Sequence, residues 1–242
     1  LFYLFGMMIV NRLINNGYKM RKKEAKIITS IINKYNIGEL SPMIELGSST
    51  KHFRTVTKPH IDKYLHLPIK KKGVRIITTD LKDADGVDIS GNIYDTDVQE
   101  SILSLSPKSL MCCNILEHVE DRIKFSSICS MLLPKDGLLI VTVPYSFPYH
   151  DDPIDTLYRP TPSEIHELFP DFNIEHESII EDNTYWHQLK EKGIIFSLVF
   201  IMLRIIKNSI WIYDYKKYKK RNNWVLWLWK TIKISFIVLR KK

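Results

Sequence analysis

Cysteine is scarce in this chain. Cys112, Cys113 and Cys129 are too few for a disulfide framework, and none of them forms a C-x-x-C pair. A disulfide-stapled secreted scaffold is thereby excluded, a reducing compartment is the expectation, and no bound metal is expected. No Gly/Ser-rich linker or internal repeat breaks the 242 residues, which suit one full-sized domain with an appendage better than two cores. Long apolar runs are missing at the start. Leu1–Val10 is apolar for ten residues, with no basic residue before it and no small-residue cleavage site after it. It is expected to be neither a signal peptide nor a membrane span. The full Gly-x-Gly-x-x-Gly run of dinucleotide-binding folds is also absent, which disfavours an NAD-dependent oxidoreductase.

What is present is unevenly distributed. The net charge of +8 splits into +5 over residues 1–43, −9 over residues 44–182 and +12 over residues 183–242. An acidic body carries a very basic tail, so a nucleic-acid binder with a basic core face is disfavoured and the positive surface is localised.

Apolar spacing organises the body. Ile28, Ile31, Ile32 and Tyr35 recur at i, i+3, i+4 and i+7, predicting an amphipathic helix over residues 23–35. Strands are predicted at Met43–Leu46, Val74–Thr79, Val87–Ser90, Leu110–Cys113, Leu138–Val143 and Phe172–Ile180, with a last one at Ile232–Leu239. Helices are predicted from Pro59 to about Lys70 and from the fourth strand to about Leu133, with residues 48–58 as a loop. Thr161-Pro162-Ser163-Glu164 reads as a capped helix start. Strand, crossover helix and strand in repetition predict an α/β fold with a doubly wound, mostly parallel sheet, whose ligands bind at the carboxyl ends of the strands.

Those ends carry the polar motifs. Glu45-Leu46-Gly47-Ser48-Ser49 follows the first strand, Asp80 ends the second, Gly91-Asn92-Ile93 follows the third, and Asn114-Ile115-Leu116-Glu117-His118-Val119 follows the fourth. A carboxylate ending the second strand suits a pair of vicinal ribose hydroxyls. Together and in this order, over residues 43–180, the motifs resemble those of the class I S-adenosylmethionine-dependent methyltransferases. The strand at 232–239 fits that family's last strand. The resemblance implies S-adenosylmethionine as cofactor, with Glu45, Gly47 and Ser49 against its methionine end and Asp80 on its ribose. It also implies Asn92 and Ile93 flanking the adenine, and Asn114 and Leu116 lining the methionine side. Ser49 stands where the family usually has a second glycine, and Asn92 where it usually has an aspartate. The 35 residues from Glu45 to Asp80 make a longer crossover than usual.

Acceptor contacts are expected in the proline- and aromatic-rich stretch Pro144–Pro153 and in Tyr158-Arg159-Pro160-Thr161. Tyr145, Tyr149 and Arg159 are the candidate substrate-binding residues, with Arg159 equally suited to a turn salt bridge with Asp155. His150 and Asp151 are the candidate base and its orienting acid, with a plain turn as the alternative. His118 reads as a helix-start residue, and Cys112 and Cys113 as core packing.

The remaining segment, 183–231, interrupts the fold before its last strand, so the domain comprises residues 1–182 and 232–242 with a helical insertion between them. Within it Ser197, Arg204 and Asn208 form a narrow polar stripe beside Lys207 on an otherwise apolar helix pattern. Burying Arg204 and Lys207 at a bilayer centre would cost about 2.5–3.5 kcal/mol each, so an interfacial position is favoured over spanning. The cluster Lys216, Lys217, Lys219, Lys220 and Arg221 precedes Trp224, Trp227 and Trp229, a pairing that suits an anionic membrane surface. A helical hairpin packed on the protein is the plain alternative. The combined expectation is a cytoplasmic, peripherally membrane-associated methyltransferase acting on a small-molecule, glycan or lipid-linked acceptor, with nucleic acid not a partner. The alternatives are an RNA methyltransferase using the basic tail and a non-catalytic cofactor-binding or membrane-scaffold protein.

Overall fold

The computed structural model describes residues 20–150, 154–190, 193–194, 197–199, 201–202 and 227–242. Seven strands form its sheet: β1 (Met43–Leu46), β2 (Ile76–Asp80), β3 (Ile89–Ser90), β4 (Ser109–Cys113), β5 (Leu138–Ser146), β6 (Phe172–Asp182) and β7 (Ile232–Lys241). Their spatial order is β3-β2-β1-β4-β5-β7-β6. The five strands from β3 to β5 run parallel, and β7 enters antiparallel to both β5 and β6. The doubly wound, mostly parallel sheet expected from the sequence is the one found.

Helices cover both faces, which is why the central strands read as continuous apolar runs rather than alternating ones. Side chains along a strand alternate between two core layers. Leu139, Val141 and Val143 of β5 join Ile44, Leu46, Leu110 and Cys112 in one layer. Leu138 and Ile140 join Met43, Met111, Phe236 and Val238 in the other. Glu45 sits between Ile44 and Leu46, so it points into the second layer, where a carboxylate needs a polar partner. The edge strand β6 is mostly exposed and carries Glu175, Glu177 and Glu181, charges that discourage edge-to-edge pairing.

Local chemistry sets the helix ends. The helix Lys22–Ile32 begins with Glu24 accepting the Arg21 backbone N–H at 3.0 Å. The Thr161 hydroxyl accepts the Glu164 N–H at 3.3 Å and Glu164 returns a 2.7 Å bond to the Thr161 N–H, the cap expected ahead of Pro162.

Three expectations are corrected. Residues 48–58 are not a loop throughout: helical turns begin at Lys51, and a π-type segment runs through Phe53–Thr57. The long crossover is therefore absorbed by helix. The helix after β4 is broken into a 3-10 turn, Leu116–His118, and the helix Arg122–Leu132, where Asp121 accepts the Lys124 N–H at 2.9 Å. A helix at Thr96–Ser104 was not foreseen; it buries Ile102 and packs Val98 on the core.

Between β6 and β7 the structure describes the helix Tyr185–Lys190, short pieces after it, and Trp227 onward. Arg204, Lys207, the cluster from Lys216 to Arg221 and Trp224 lie outside the described residues. Among the described residues no helix is long and apolar enough to cross a membrane.

Candidate functional site

The carboxyl ends of the neighbouring parallel strands β1, β2 and β4 lie side by side at one edge of the sheet, and the chain after β1 turns across them. Gly47 adopts φ +66°, and a Cβ there would meet the Ile115 side chain at 3.1 Å. A side chain would crowd the turn, so glycine keeps it open and exposed. Ser49 also takes the left-handed conformation, φ +60°, at the position where the family pattern has glycine. For a serine this costs about 1–2 kcal/mol, and two partners hold it. Its N–H donates to Asp80 Oδ2 at 2.8 Å. The buried Arg54 guanidinium donates to the carbonyls of Ser48 at 3.0 Å, Gly86 at 2.6 Å and Ser49.

Asp80 is half-buried and its Oδ1 accepts the Lys82 N–H at 3.1 Å. A carboxylate offers about four acceptor sites, so two remain for a ligand diol. Past β3, Gly91 donates its N–H to the Asp80 carbonyl at 3.0 Å. Asn92 is exposed with its Oδ1 accepting the Tyr94 N–H at 3.1 Å, and Ile93 is half-buried against the core. Glu45 is buried with Oε2 2.9 Å from His66 Nε2, a close pair outside hydrogen-bond alignment.

Asn114, at φ +55°, follows β4. Its side-chain amide donates to Glu24 Oε1 at 2.9 Å, which also accepts the Thr142 hydroxyl at 2.7 Å. Burial raises the Glu24 carboxyl above the usual carboxylate range, against the pull of these hydrogen bonds. Leu116 is wholly buried in the core, so its side chain supports the sheet and presents no surface to a ligand.

The residues expected to contact an acceptor lie at the end of β5 and in the chain after it. Tyr145 and Tyr149 are half-buried there. His150 is buried; its N–H donates to Asp155 Oδ2 at 3.0 Å, and its Nδ1 lies 3.3 Å from the same oxygen. Burial lowers the His150 pKa from its ordinary value, with Asp155 opposing. The acid beside His150 in the structure is therefore Asp155; Asp151 lies outside the described residues. Asp155 in turn receives both arms of the Arg159 guanidinium, at 3.0 and 2.6 Å. Burial pushes the Asp155 carboxyl up, but Arg159 and the His150 N–H outweigh it and hold the pKa below the ordinary value. Arg159 thus makes the turn ion pair that the sequence offered as the alternative to gripping an acceptor. Glu117 is fully buried, neither carboxylate oxygen has a hydrogen-bond partner, and burial drives its pKa up to about 8.

Sequence reasoning missed Glu24, Arg54, His66 and Glu117, whose partners include residues distant in sequence, and it considered Asp155 only as a partner for Arg159.

No protein-family model and no curated protein matches the sequence. Among solved structures the chain superposes on a SAM dependent methyltransferase from Archaeoglobus fulgidus with a TM-score of 0.52 at 11% identity, over 95% of this chain and 98% of that one. It also aligns with coclaurine N-methyltransferase, TM-score 0.47 at 11% identity over 84% and 66% of the two chains. The MccD protein aligns at TM-score 0.47 and 11% identity, over 90% and 97%. At this identity the Archaeoglobus likeness speaks for the fold, and it agrees with the strand order and the antiparallel β7. The chain has the fold of the class I S-adenosylmethionine-dependent methyltransferases.

Proposed function

We propose that the protein binds S-adenosylmethionine and transfers its methyl group to a small-molecule, glycan or lipid-linked acceptor at the cytoplasmic face of a membrane. The observation that carries the reading is the Asp80–Ser49 junction. There a strand-end carboxylate with spare acceptor capacity is locked to a left-handed turn that follows a glycine at φ +66°, where a side chain would be strained and would press on Ile115. That donor set fits the group: Asp80 for the ribose hydroxyls, the Glu45–Ser49 turn and Asn114 for the methionine end, and Asn92 with Ile93 for the adenine. When bound, the cofactor supplies an electrophilic methyl on a sulfonium, so the protein's share of the chemistry is mostly alignment. Tyr145, Tyr149 and the His150–Asp155–Arg159 chain would frame the acceptor. Mass spectrometry of the small molecules released when freshly purified protein is denatured tests the reading. S-adenosylmethionine or S-adenosylhomocysteine is the expected species, and a nicotinamide dinucleotide in its place would reverse the assignment.

The membrane part rests on the +12 charge of residues 183–242 and on the tryptophans beside it. Trp229 is 68% exposed next to the buried Leu228, and Lys230 Nζ lies 4.6 Å from the centre of the Trp227 ring. Exposed tryptophan beside lysine suits the headgroup layer. Changing Lys216, Lys217, Lys219, Lys220 and Arg221 to Gln should release most of the protein from anionic vesicles, at roughly 1 kcal/mol for each charge. Trp227→Ala should weaken binding at every salt concentration. Vesicle sedimentation at low and high salt reads both effects. Wild-type protein that stays in the supernatant with every lipid composition returns the segment to packing on the protein.

A further inference from the structure

Glu117 is a buried acid that its described surroundings leave without a hydrogen-bond partner. Its side chain is inaccessible to water and neither carboxylate oxygen has a hydrogen-bond partner. A buried carboxylate in that state is unfavourable by several kcal/mol unless a proton or a cation compensates it. Two imidazoles face it. His118 Nε2 lies 3.8 Å from Glu117 Oε1, and His150 Nε2 lies 4.0 Å from the same oxygen. The rings meet edge to face with centroids 5.3 Å apart, and one ligand atom from each of the three residues falls within 4.8 Å of the others.

The far side of each ring decides what the near side can do. His118 Nδ1 contacts the Ile154 carbonyl. His150 Nδ1 lies 3.3 Å from the Pro148 carbonyl and 3.3 Å from Asp155 Oδ2. Carbonyl and carboxylate oxygens only accept, so both rings carry their hydrogen on Nδ1 and turn the Nε2 lone pair toward Glu117. This is the arrangement of metal-bound imidazoles, whose second nitrogen donates to a carbonyl or carboxylate that fixes ring and tautomer. The supports are themselves braced: Arg159 clamps Asp155, and the Glu117 carbonyl accepts both the Thr156 N–H and the Thr156 hydroxyl at 2.9 Å.

We propose that Glu117, His118 and His150 bind one divalent transition-metal ion at the carboxyl ends of β4 and β5. Two imidazoles and one carboxylate suit Zn2+ and its neighbours Mn2+, Fe2+ and Co2+ better than Mg2+, and three protein ligands leave positions open for water or an oxygen of a bound molecule. Tetrahedral bonds of about 2.1 Å place donors about 3.4 Å apart, so the two Glu117–imidazole spacings of 3.8 and 4.0 Å need to close by about half an ångström, and the third, within 4.8 Å, by at most about 1.4 Å. The His118 side chain is 22% exposed, which gives the ion an entry path. The site stands independently of the cofactor reading, and it replaces both the expectation of no metal and the base role for His150, since a metal-bound Nε2 takes no proton.

Metal content of the full chain tests this. Protein stripped with chelator, dialysed and titrated with Zn2+ should bind one equivalent, and with Co2+ should develop the visible absorption of a four- or five-coordinate ion with nitrogen ligands. His150→Ala and His118→Ala should each weaken Zn2+ binding at least about tenfold and alter the Co2+ spectrum. Glu117→Gln keeps volume and removes charge, so it should fold and lose affinity in the same way. His52→Ala, an exposed histidine elsewhere, should change nothing. Wild-type protein that retains no Zn2+, or Zn2+ binding and a Co2+ spectrum unaltered in the folded Glu117→Gln protein, would overturn the proposal and leave the cluster held by a proton.

Discussion

Replacing Asp80 with alanine should weaken S-adenosylhomocysteine binding by roughly 30- to 1,000-fold, about 2–4 kcal/mol, in isothermal calorimetry. Two losses combine in that figure. The ligand's ribose hydroxyls lose a charged acceptor, and the Ser49 N–H loses the 2.8 Å partner that holds its left-handed turn. Asp80→Asn separates them, because the amide oxygen can still accept from Ser49 but brings no charge; its affinity should fall between wild type and alanine. A folded Asp80→Ala protein that binds like wild type would remove this residue from the site.

Arg54→Met should destabilise the fold and the site together. The guanidinium is buried and donates to three carbonyls, those of Ser48, Ser49 and Gly86, in two loops more than thirty residues apart in sequence. Methionine fills much of the volume but removes all of these charged donors, leaving the Gly86 carbonyl to the Thr78 hydroxyl and the Ser49 carbonyl to the Ser48 hydroxyl, at an expected cost of about 2–4 kcal/mol. For a chain of this size that corresponds to a fall of roughly 4–16 °C in melting temperature. Arg54→Lys keeps the charge without the planar fork and should recover only part of the loss. Unchanged melting and unchanged S-adenosylhomocysteine affinity in Arg54→Met would show that the loops hold their shape without it.

The sheet was legible because its middle strands are buried on both faces, which leaves short unbroken apolar runs such as Leu110–Cys113 and Leu138–Val143. The site was legible where chemistry is forced by the strand ends, at Gly47 and Asp80. Helices were read less well where their apolar stripe is thin: Thr96–Ser104 buries Ile102 alone among its side chains, too faint a period to stand out. The loop expected at residues 48–58 was read from the long spacing between Glu45 and Asp80, yet Arg54 inside it supplies order through hydrogen bonds to Ser48, Ser49 and Gly86. Glu24 is hidden, since its partners Asn114 and Thr142 lie 90 and 118 residues away. His150 was matched with Asp151, which lies outside the described residues, and the acid the structure places at the ring is Asp155. Glu117 lay in view inside the string that carried the resemblance; its distance from His150 in sequence concealed that the two face each other.

The proposed S-adenosylmethionine site lies at the carboxyl ends of β1, β2 and β4. Calorimetric titration of the wild-type chain with S-adenosylhomocysteine, with NAD as the parallel ligand, probes it without a mutation. Saturable binding of one S-adenosylhomocysteine for each chain and no heat from NAD are expected. Saturable NAD binding with no response to S-adenosylhomocysteine would contradict that reading of the site.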